Sequence, residues 1–271
     1  MFDIAGLVQG ASEGKGLGNA FLGHIRAVDA IVHVVRCFND ANVIHVNSET
    51  GPRDPLKDVE VIELELTLSD LDTVEKRLKQ KKLEAAEKQS LEEAKKLLFG
   101  GEKIKSPALQ ATLKHLNLLT AKPVLYALIS DTVGGDDVTR EIAKKLQGPS
   151  LPITARLESE VAAESDPELR DELKREFGLQ DASASSISRL SREISKLLGR
   201  RVFYTVGEQE ARSWPLAPGD TAVDAAARIH TDIAKHFVNV EIRREVNDKP
   251  RVEGKDYKME HEDIAYFRHR A

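Results

Sequence analysis

With 41% apolar and 31% charged side chains, this chain of 271 residues has room for roughly two packed domains under a charged surface. A formal net charge of −5 excludes a uniformly basic nucleic-acid binder and leaves only local basic patches open. The single cysteine, Cys37, excludes an intramolecular disulfide framework. No apolar run of membrane-spanning length and no signal peptide are read in the sequence, so a cytoplasmic protein is expected.

The chain opens MFDIAGLVQGASEGKGLGNAFLG. Phe2–Ala5 is predicted to end a sheet strand and deliver Asp3 and Gly6 as an Asp-x-x-Gly turn. In P-loop nucleotide hydrolases the carboxylate of such a turn reaches Mg²⁺, usually through water. The glycine N–H reaches the γ-phosphate, so hydrolysis releases the loop that follows. Glycines at positions 10, 14, 16 and 18 predict a loop able to order and disorder with a ligand, and Asn19–Val28 a helix. The companion phosphate loop, Gly, four residues, then Gly-Lys-Ser/Thr, is not found in these residues. Gly10–Gly16 is one residue short and places Gly16 where the hydroxyl belongs, and Gly254-Lys255-Asp256 fails as well.

Asp29–Cys37 is almost wholly apolar and β-branched, which predicts a strand buried on both faces of a parallel sheet. His33 within it reads as a core residue and Cys37 as a buried, inert thiol. Phe38–Pro55 is a loop, with His45 in a stabilising role. From Leu56 to Thr120 the pattern is helical. Leu64, Leu68 and Leu71 repeat at helical spacing, and Val74 and Leu78 continue the same face. Glu84–Phe99 and Ala108–Leu119 supply further amphipathic segments. Five of the seven residues from Lys76 to Lys82 are basic. Such a run is either a solvated helix face or, at the tip of a projecting hairpin, a contact for RNA phosphates.

Lys122–Ile129 returns to a buried strand, and Asp137–Leu146 is a short helix capped by Asp136 or Asp137. Leu151–Glu158 runs from a strand into a helix. Asp166-Pro167 starts another helix, Ser183, Ser185 and Ser186 form a polar linker, and Ile187–Leu198 is amphipathic and stopped by Gly199. Arg201–Ala271 reads as a small α+β domain: a VFYTVG strand with a hairpin partner through Trp214, a helix opening at Asp220-Thr221, and Ile242, Val252, Tyr257 and Ile264–Phe267 in later strands. Trp214 is read as half-buried and His230 as a helix-surface residue.

The string DIAGLVQGASEGKGLGNAFLGHIRAVDAIVHVVRCF resembles the switch region of the Obg-like ATPases of the YchF type. FYTVGEQEARSWPLAPGDTAVDAAARIHTDIAKHFVNVEI and RVEGKDYKMEHEDIAYFR resemble the TGS domain that ends them. The resemblance implies an α/β chain with an incomplete P-loop G-domain sheet over residues 1–55 and 121–198. It also implies an inserted helical hairpin over 56–120 and a β-grasp TGS domain over 199–271. It implies a switch that hydrolyses ATP or GTP with Mg²⁺ and contacts the ribosome or rRNA. Asp3 would serve the metal through water and Gly6 the γ-phosphate, and Leu7 would stand where many related GTPases place a water-orienting Gln. The family reads the base with Asn-x-x-Glu. The positions matched to it here are Leu128, which has no hydrogen-bonding group, and Asp131, which keeps a carboxylate. Thr154-Ala155-Arg156-Leu157-Glu158 resembles the family's Ser/Cys-Ala-x-x-Glu turn, whose backbone N–H groups face the base.

Two functional readings follow. In one the chain is a nucleotide-hydrolysing switch whose phosphate loop comes from residues outside these 271, which alone would bind nucleotide weakly or not at all. In the other it is a non-catalytic paralogue or fragment that acts as a ribosome-, RNA- or protein-binding module.

Overall fold

The computed structural model describes residues 17–38, 40, 54–179, 185–207, 210–245 and 247–270. Asp3, Gly6, Leu7, the strand expected at Phe2–Ala5 and His45 lie outside the described residues. The chain divides into two compact units, Met1–Ile194 and Ser195–Ala271.

The first unit is organised on three parallel strands, β1 (Ile31–Arg36), β2 (Val124–Ile129) and β3 (Ser150–Ile153), side by side in that order. Leu125, Tyr126, Ala127 and Leu128 are all fully buried, as a central parallel strand requires. β1 departs from the expected two-faced burial. It pairs on one side only among the described strands, and Val34 is 64% exposed while Val35 is buried. Helix α1 (Leu17–Arg26) precedes β1, beginning two residues earlier and ending two earlier than the pattern suggested.

Between β1 and β2 the chain inserts α2 (Pro55–Leu78), α3 (Ala85–Phe99), α4 (Pro107–Thr112) and a 3₁₀ turn (Lys114–Leu116). Asp54 starts α2 by accepting from the Leu56 and Lys57 amides, with Pro55 at the first helical position where no amide is needed. α2 changes partners along its length. Val59, Ile62 and Leu66 pack towards the sheet and α1, whereas Leu71, Val74 and Leu78 join Leu91, Ala94, Leu98, Leu109 and Leu113 in the hairpin core. Leu64 and Leu68 therefore do not share the buried face expected of them; they are 57% and 42% exposed.

β2 leads through Gly134-Gly135 to α5 (Asp137–Lys145) and then β3. Gly135 has φ +81°, and a Cβ there would lie 2.9 Å from the Thr139 methyl. Only glycine lets this turn close against the helix it starts. Helices α6 (Ala155–Ala163), α7 (Pro167–Glu176) and α8 (Ser186–Leu197) follow. Asp166 caps α7 through the Glu168 amide, as Asp-Pro predicts.

The second unit carries a mixed sheet of β4 (Arg201–Val206), β5 (Ala211–Leu216), β6 (Phe237–Arg243), β7 (Arg251–Glu253) and β8 (Ile264–His269), ordered β5-β4-β8-β6-β7. The central pair β4–β8 is parallel and the flanking pairs are antiparallel. Helix α9 (Ala222–Ile229) lies between β5 and β6 and starts with a Thr221–Asp224 capping box. It seats Ala222 and Ala225 against Phe203, Leu216, Val240, Ile242 and Ala265. His230 caps the short helix α10 (Thr231–Lys235), and the Trp214 indole donates to Thr205 Oγ1 at 2.9 Å. Tyr257 lies in no strand. It sits in the turn between β7 and β8, where its carbonyl accepts from the Ala222 amide and its hydroxyl donates to Asp263.

Candidate functional site

Three parallel strands present their carboxyl ends on one edge, the place where open α/β sheets bind ligands. The segment after β1 brings Arg36, Phe38 and Asp40 there; the Arg36 guanidinium lies 4.5 Å over the Phe38 ring and donates to the Asp40 carbonyl at 3.1 Å. After β2 come Ser130, which is buried, and the exposed Asp131; the Ser130 hydroxyl accepts from the Thr132 amide at 3.2 Å. After β3 comes Thr154, the buried N-cap of α6, followed by the exposed Ala155 and Arg156.

These segments meet through charge. Arg156 bonds Glu160 at 3.0 Å and lies 3.8 Å from Asp40 Oδ2. Glu160 first, then Asp40 and Asp131, push the Arg156 pKa upward, so its cation is fixed beside two carboxylates from neighbouring loops. Of the residues singled out in the sequence, Asp131, Thr154, Ala155 and Arg156 share this edge.

Leu128 does not. It lies inside β2 opposite Pro152 and Val35, is completely buried, and packs with Val59, Tyr126 and Ile142. The position matched to the base-reading Asn is thus a core position, and its leucine is there for packing.

Sequence reading missed the support beneath the α6 turn. Both Glu158 carboxylate oxygens accept from the Ser186 amide at 3.0 Å, Thr154 Oγ1 bonds Glu158 at 3.4 Å, and Ser186 Oγ accepts from the Thr154 amide at 3.3 Å. Ser186 is accordingly the buried first residue of α8 and not part of a linker. With the Thr154 side chain engaged by Glu158, α6 has no side-chain cap, which leaves its first-turn N–H groups for a ligand or water. The signal was the fifth letter of Thr-Ala-x-x-Glu, although its partner is remote in sequence.

Two further groups flank the sheet. Burial pushes the Cys37 thiol up to about 11, which makes it a poor nucleophile. Below the strands, Tyr126 and Lys103 both donate to Glu63 on α2, and the His33 ring centroid lies 5.6 Å from that of Tyr126.

The YchF-GTPase_C profile, described as a protein of unknown function (DUF933), matches residues 201–270. The ribosome-binding ATPase YchF of Bacillus subtilis (strain 168) is 37% identical over 303 residues, covering 98% of this chain and 80% of its own. The chain belongs to the YchF family. The ribosome-binding ATPase YchF of Haemophilus influenzae is 38% identical over 299 residues, with the same coverage of both chains. Among solved structures, the Schizosaccharomyces pombe YchF GTPase superposes with a TM-score of 0.75 at 32% identity, over 98% of this chain and 79% of that one. A GTP-binding protein from Pyrococcus horikoshii OT3 shares the fold, with a TM-score of 0.53 at 20% identity over 92% and 81% of the two chains.

Proposed function

We propose that this protein is a ribosome-associated nucleotide switch, and that the carboxyl edge of β1–β3 is the base side of its nucleotide site. The observation that carries the proposal is the convergence there of Asp131, Asp40, Arg156 and the uncapped first turn of α6 in a chain 37% identical to a ribosome-binding ATPase. The donor set fits a purine: amides at Ala155 and Arg156 offer hydrogen bonds, and Asp131 offers an acceptor. Arg156, held in its charged form, is a planar group able to stack on a base. Glu158 and Ser186 hold the turn in place.

Mg²⁺ with ATP or GTP would supply the cleavable phosphoanhydride and the charge that assists its cleavage. Asp3 is proposed to hold the metal through water and Gly6 to reach the γ-phosphate, with Leu7 in the segment that responds. The C-terminal unit is proposed to be a TGS domain; its central parallel strand pair with antiparallel flanks supports a β-grasp arrangement. At the α2–α3 turn Lys76 pairs with Asp72 and Arg77 with Glu87, while Lys79, Lys81 and Lys82 are exposed. Those three lysines are the proposed contact for rRNA phosphates.

The test combines Mg²⁺-dependent binding of fluorescent ATP and GTP analogues with ribosome co-sedimentation in ATP and in ADP. Saturable binding weakened by Asp131→Ala, with ribosome association that differs between the two nucleotides, supports the switch. Ribosome association with no nucleotide binding overturns it in favour of the non-catalytic binding module. That second reading draws on the lack of Gly-x₄-Gly-Lys-Ser/Thr in these 271 residues.

A further inference from the structure

The last residue of α1 is tied to the helical hairpin more closely than packing requires. Arg26 Nη2 donates to Ser69 Oγ and to Thr73 Oγ1, both at 2.9 Å, and Nη1 donates to the Asn117 carbonyl at 3.4 Å. Ser69 and Thr73 are one turn apart on α2, so one planar fork spans both. Thr73 spends its own proton on the Ser69 carbonyl at 2.9 Å, which turns its lone pairs to the guanidinium.

Asp70, next to Ser69, is fully buried. It accepts from the Leu119 amide at 2.9 Å and from the Thr120 amide and hydroxyl at 2.8 Å, with Arg26 Nη1 3.7 Å away. Lys122 completes the arrangement by donating to the Arg26 carbonyl at 3.1 Å and to the Val28 carbonyl. Three chain segments meet at this one point: the end of α1, the middle of α2, and the segment 117–122 that leads into β2.

Apolar contact between α1 and α2 runs through Leu22, Ile25 and Leu66, with Phe21 and Ile62 packed against them. Apolar contact is non-directional and allows sliding. A guanidinium with acceptors on two segments fixes register. α2 turns from sheet packing to hairpin packing at this same place, between Leu66 and Leu71.

We propose that Arg26 is the coupling residue that makes the α2–α3 hairpin follow α1. Any displacement of α1, which directly follows the Asp3–Gly16 segment, is then passed to the hairpin as a change of direction. The inference rests on the switch reading above and adds the residue through which the switch acts on the hairpin. Arg26 is a positioning residue and touches none of the residues assigned to the nucleotide.

The test uses the whole protein with Cys37→Ala and spin labels at Lys81→Cys in the hairpin turn and Glu172→Cys on α7. Distances are measured by electron paramagnetic resonance without nucleotide, with Mg²⁺ and ADP, and with Mg²⁺ and a non-hydrolysable ATP analogue. The expected result is a label distance that shifts with the ATP analogue. Arg26→Met should abolish the shift while leaving nucleotide affinity within about threefold, since the two sites share no partner. Ser69→Ala with Thr73→Val removes the two 2.9 Å hydroxyl acceptors on α2 without touching Arg26, leaving there only the 3.5 Å contact to the Ser69 carbonyl and Asp70 at 3.7 Å, and should largely do the same, so the proposal stays testable if Arg26→Met folds poorly. An undiminished shift in both variants overturns it, as does nucleotide binding without any shift in the parent. Loss of affinity together with the shift overturns it too, by placing Arg26 in the nucleotide site. No nucleotide binding by the parent would instead remove the switch reading on which the inference stands.

Discussion

Replacing Asp70 by alanine removes a carboxylate that is wholly buried and accepts from two backbone amides and one hydroxyl. The Leu119 amide belongs to a fully buried residue, so water cannot replace the lost acceptor; an unpaired buried donor costs ~1–3 kcal/mol. Thr120 is only partly buried, and about 1 kcal/mol is the fitting allowance for its amide and hydroxyl. Arg26, whose side chain is 27% exposed, loses a carboxylate 3.7 Å away, and with water able to take its place about 1 kcal/mol is the fitting allowance. Working the other way, burial raises the Asp70 pKa despite the pull of the Leu119 and Thr120 donors and Arg26, so the cost of desolvating the charged carboxylate outweighs those pulls and takes back part of the total. The balance is a destabilisation of about 2–3 kcal/mol for Asp70→Ala, and roughly half of that for Asp70→Asn, which keeps one acceptor oxygen. Urea unfolding of the parent and both variants gives the difference, and native-state hydrogen exchange at the Leu119 and Thr120 amides assigns it to the first unit. A loss below about 1 kcal/mol with unchanged protection at Leu119 would refute the reasoning, because it would mean desolvation cancels the three bonds.

Burial holds the His33 pKa below its ordinary 6.5, against the smaller upward pull of Glu63 and Asp58, while Lys103 pushes it further down. The unfolded chain therefore takes up a proton that the folded chain resists. Stability is full above about pH 6.5 and falls as pH drops from there towards the folded value, by at most ~1.4 kcal/mol per pH unit for one proton. Urea midpoints of the parent and His33→Phe should diverge between pH 7 and 5; parallel midpoints would show that His33 does not titrate against folding. Asp136 caps α5 through the Thr139 amide at 2.7 Å, and its bonds to the Thr139 hydroxyl and amide hold its pKa below the usual 3.8. Asp136→Ala should cost ~1 kcal/mol above that pH, and the difference should vanish as pH falls through the depressed value, as read by thermal melts across pH 6 to 2. Gly135→Ala combines left-handed backbone strain with a clash against Thr139 and should cost ~2–4 kcal/mol in a urea titration; a neutral result would mean the turn can shift. Changing Lys79, Lys81 and Lys82 together to Gln should leave stability unaltered and lower the log–log salt dependence of ribosome association by about 2–3; an unchanged slope would free the hairpin turn of any phosphate contact.

Local signals in the sequence carried far. Asp166-Pro167 and the Asp220-Thr221 opening each start a helix by satisfying amides within three residues, and the structure places a helix start at each; Asp54-Pro55, read as loop, starts α2 in the same way. What misled were positions whose surroundings come from elsewhere. Leu64 and Leu68 keep helical spacing with Leu71, but α2 rests on the sheet and α1 before Leu66 and on α3 after it, so one unbroken face was never available. Val34 has the composition of a core residue and the exposure of a surface one, because β1 has a strand neighbour on one side only among the described residues. Ser186 looked like linker because its composition is polar, although a carboxylate 28 residues earlier had made it a buried anchor.

The same distinction decides how the candidate site should be read. The Thr-Ala-x-x-Glu turn was visible as a string, whereas the pairing of Arg156 with Asp40 was not, since the sheet alone brings those loops together. Leu128 is the sharper case. Matching letters set it against a base-reading Asn and made its apolar side chain look like a lost contact. In the parallel register Leu128 lies opposite Pro152, one residue inside the end of β2, with its side chain in the core beside Ile142. A side chain that reads a ligand at the carboxyl edge has to come from the segment beyond Ile129, where Ser130 is occupied in holding the Thr132 amide and Asp131 stands exposed. Leucine at 128 is accounted for by its packing in the core. Asp131→Ala is therefore the variant that tests whether a base is read at this edge.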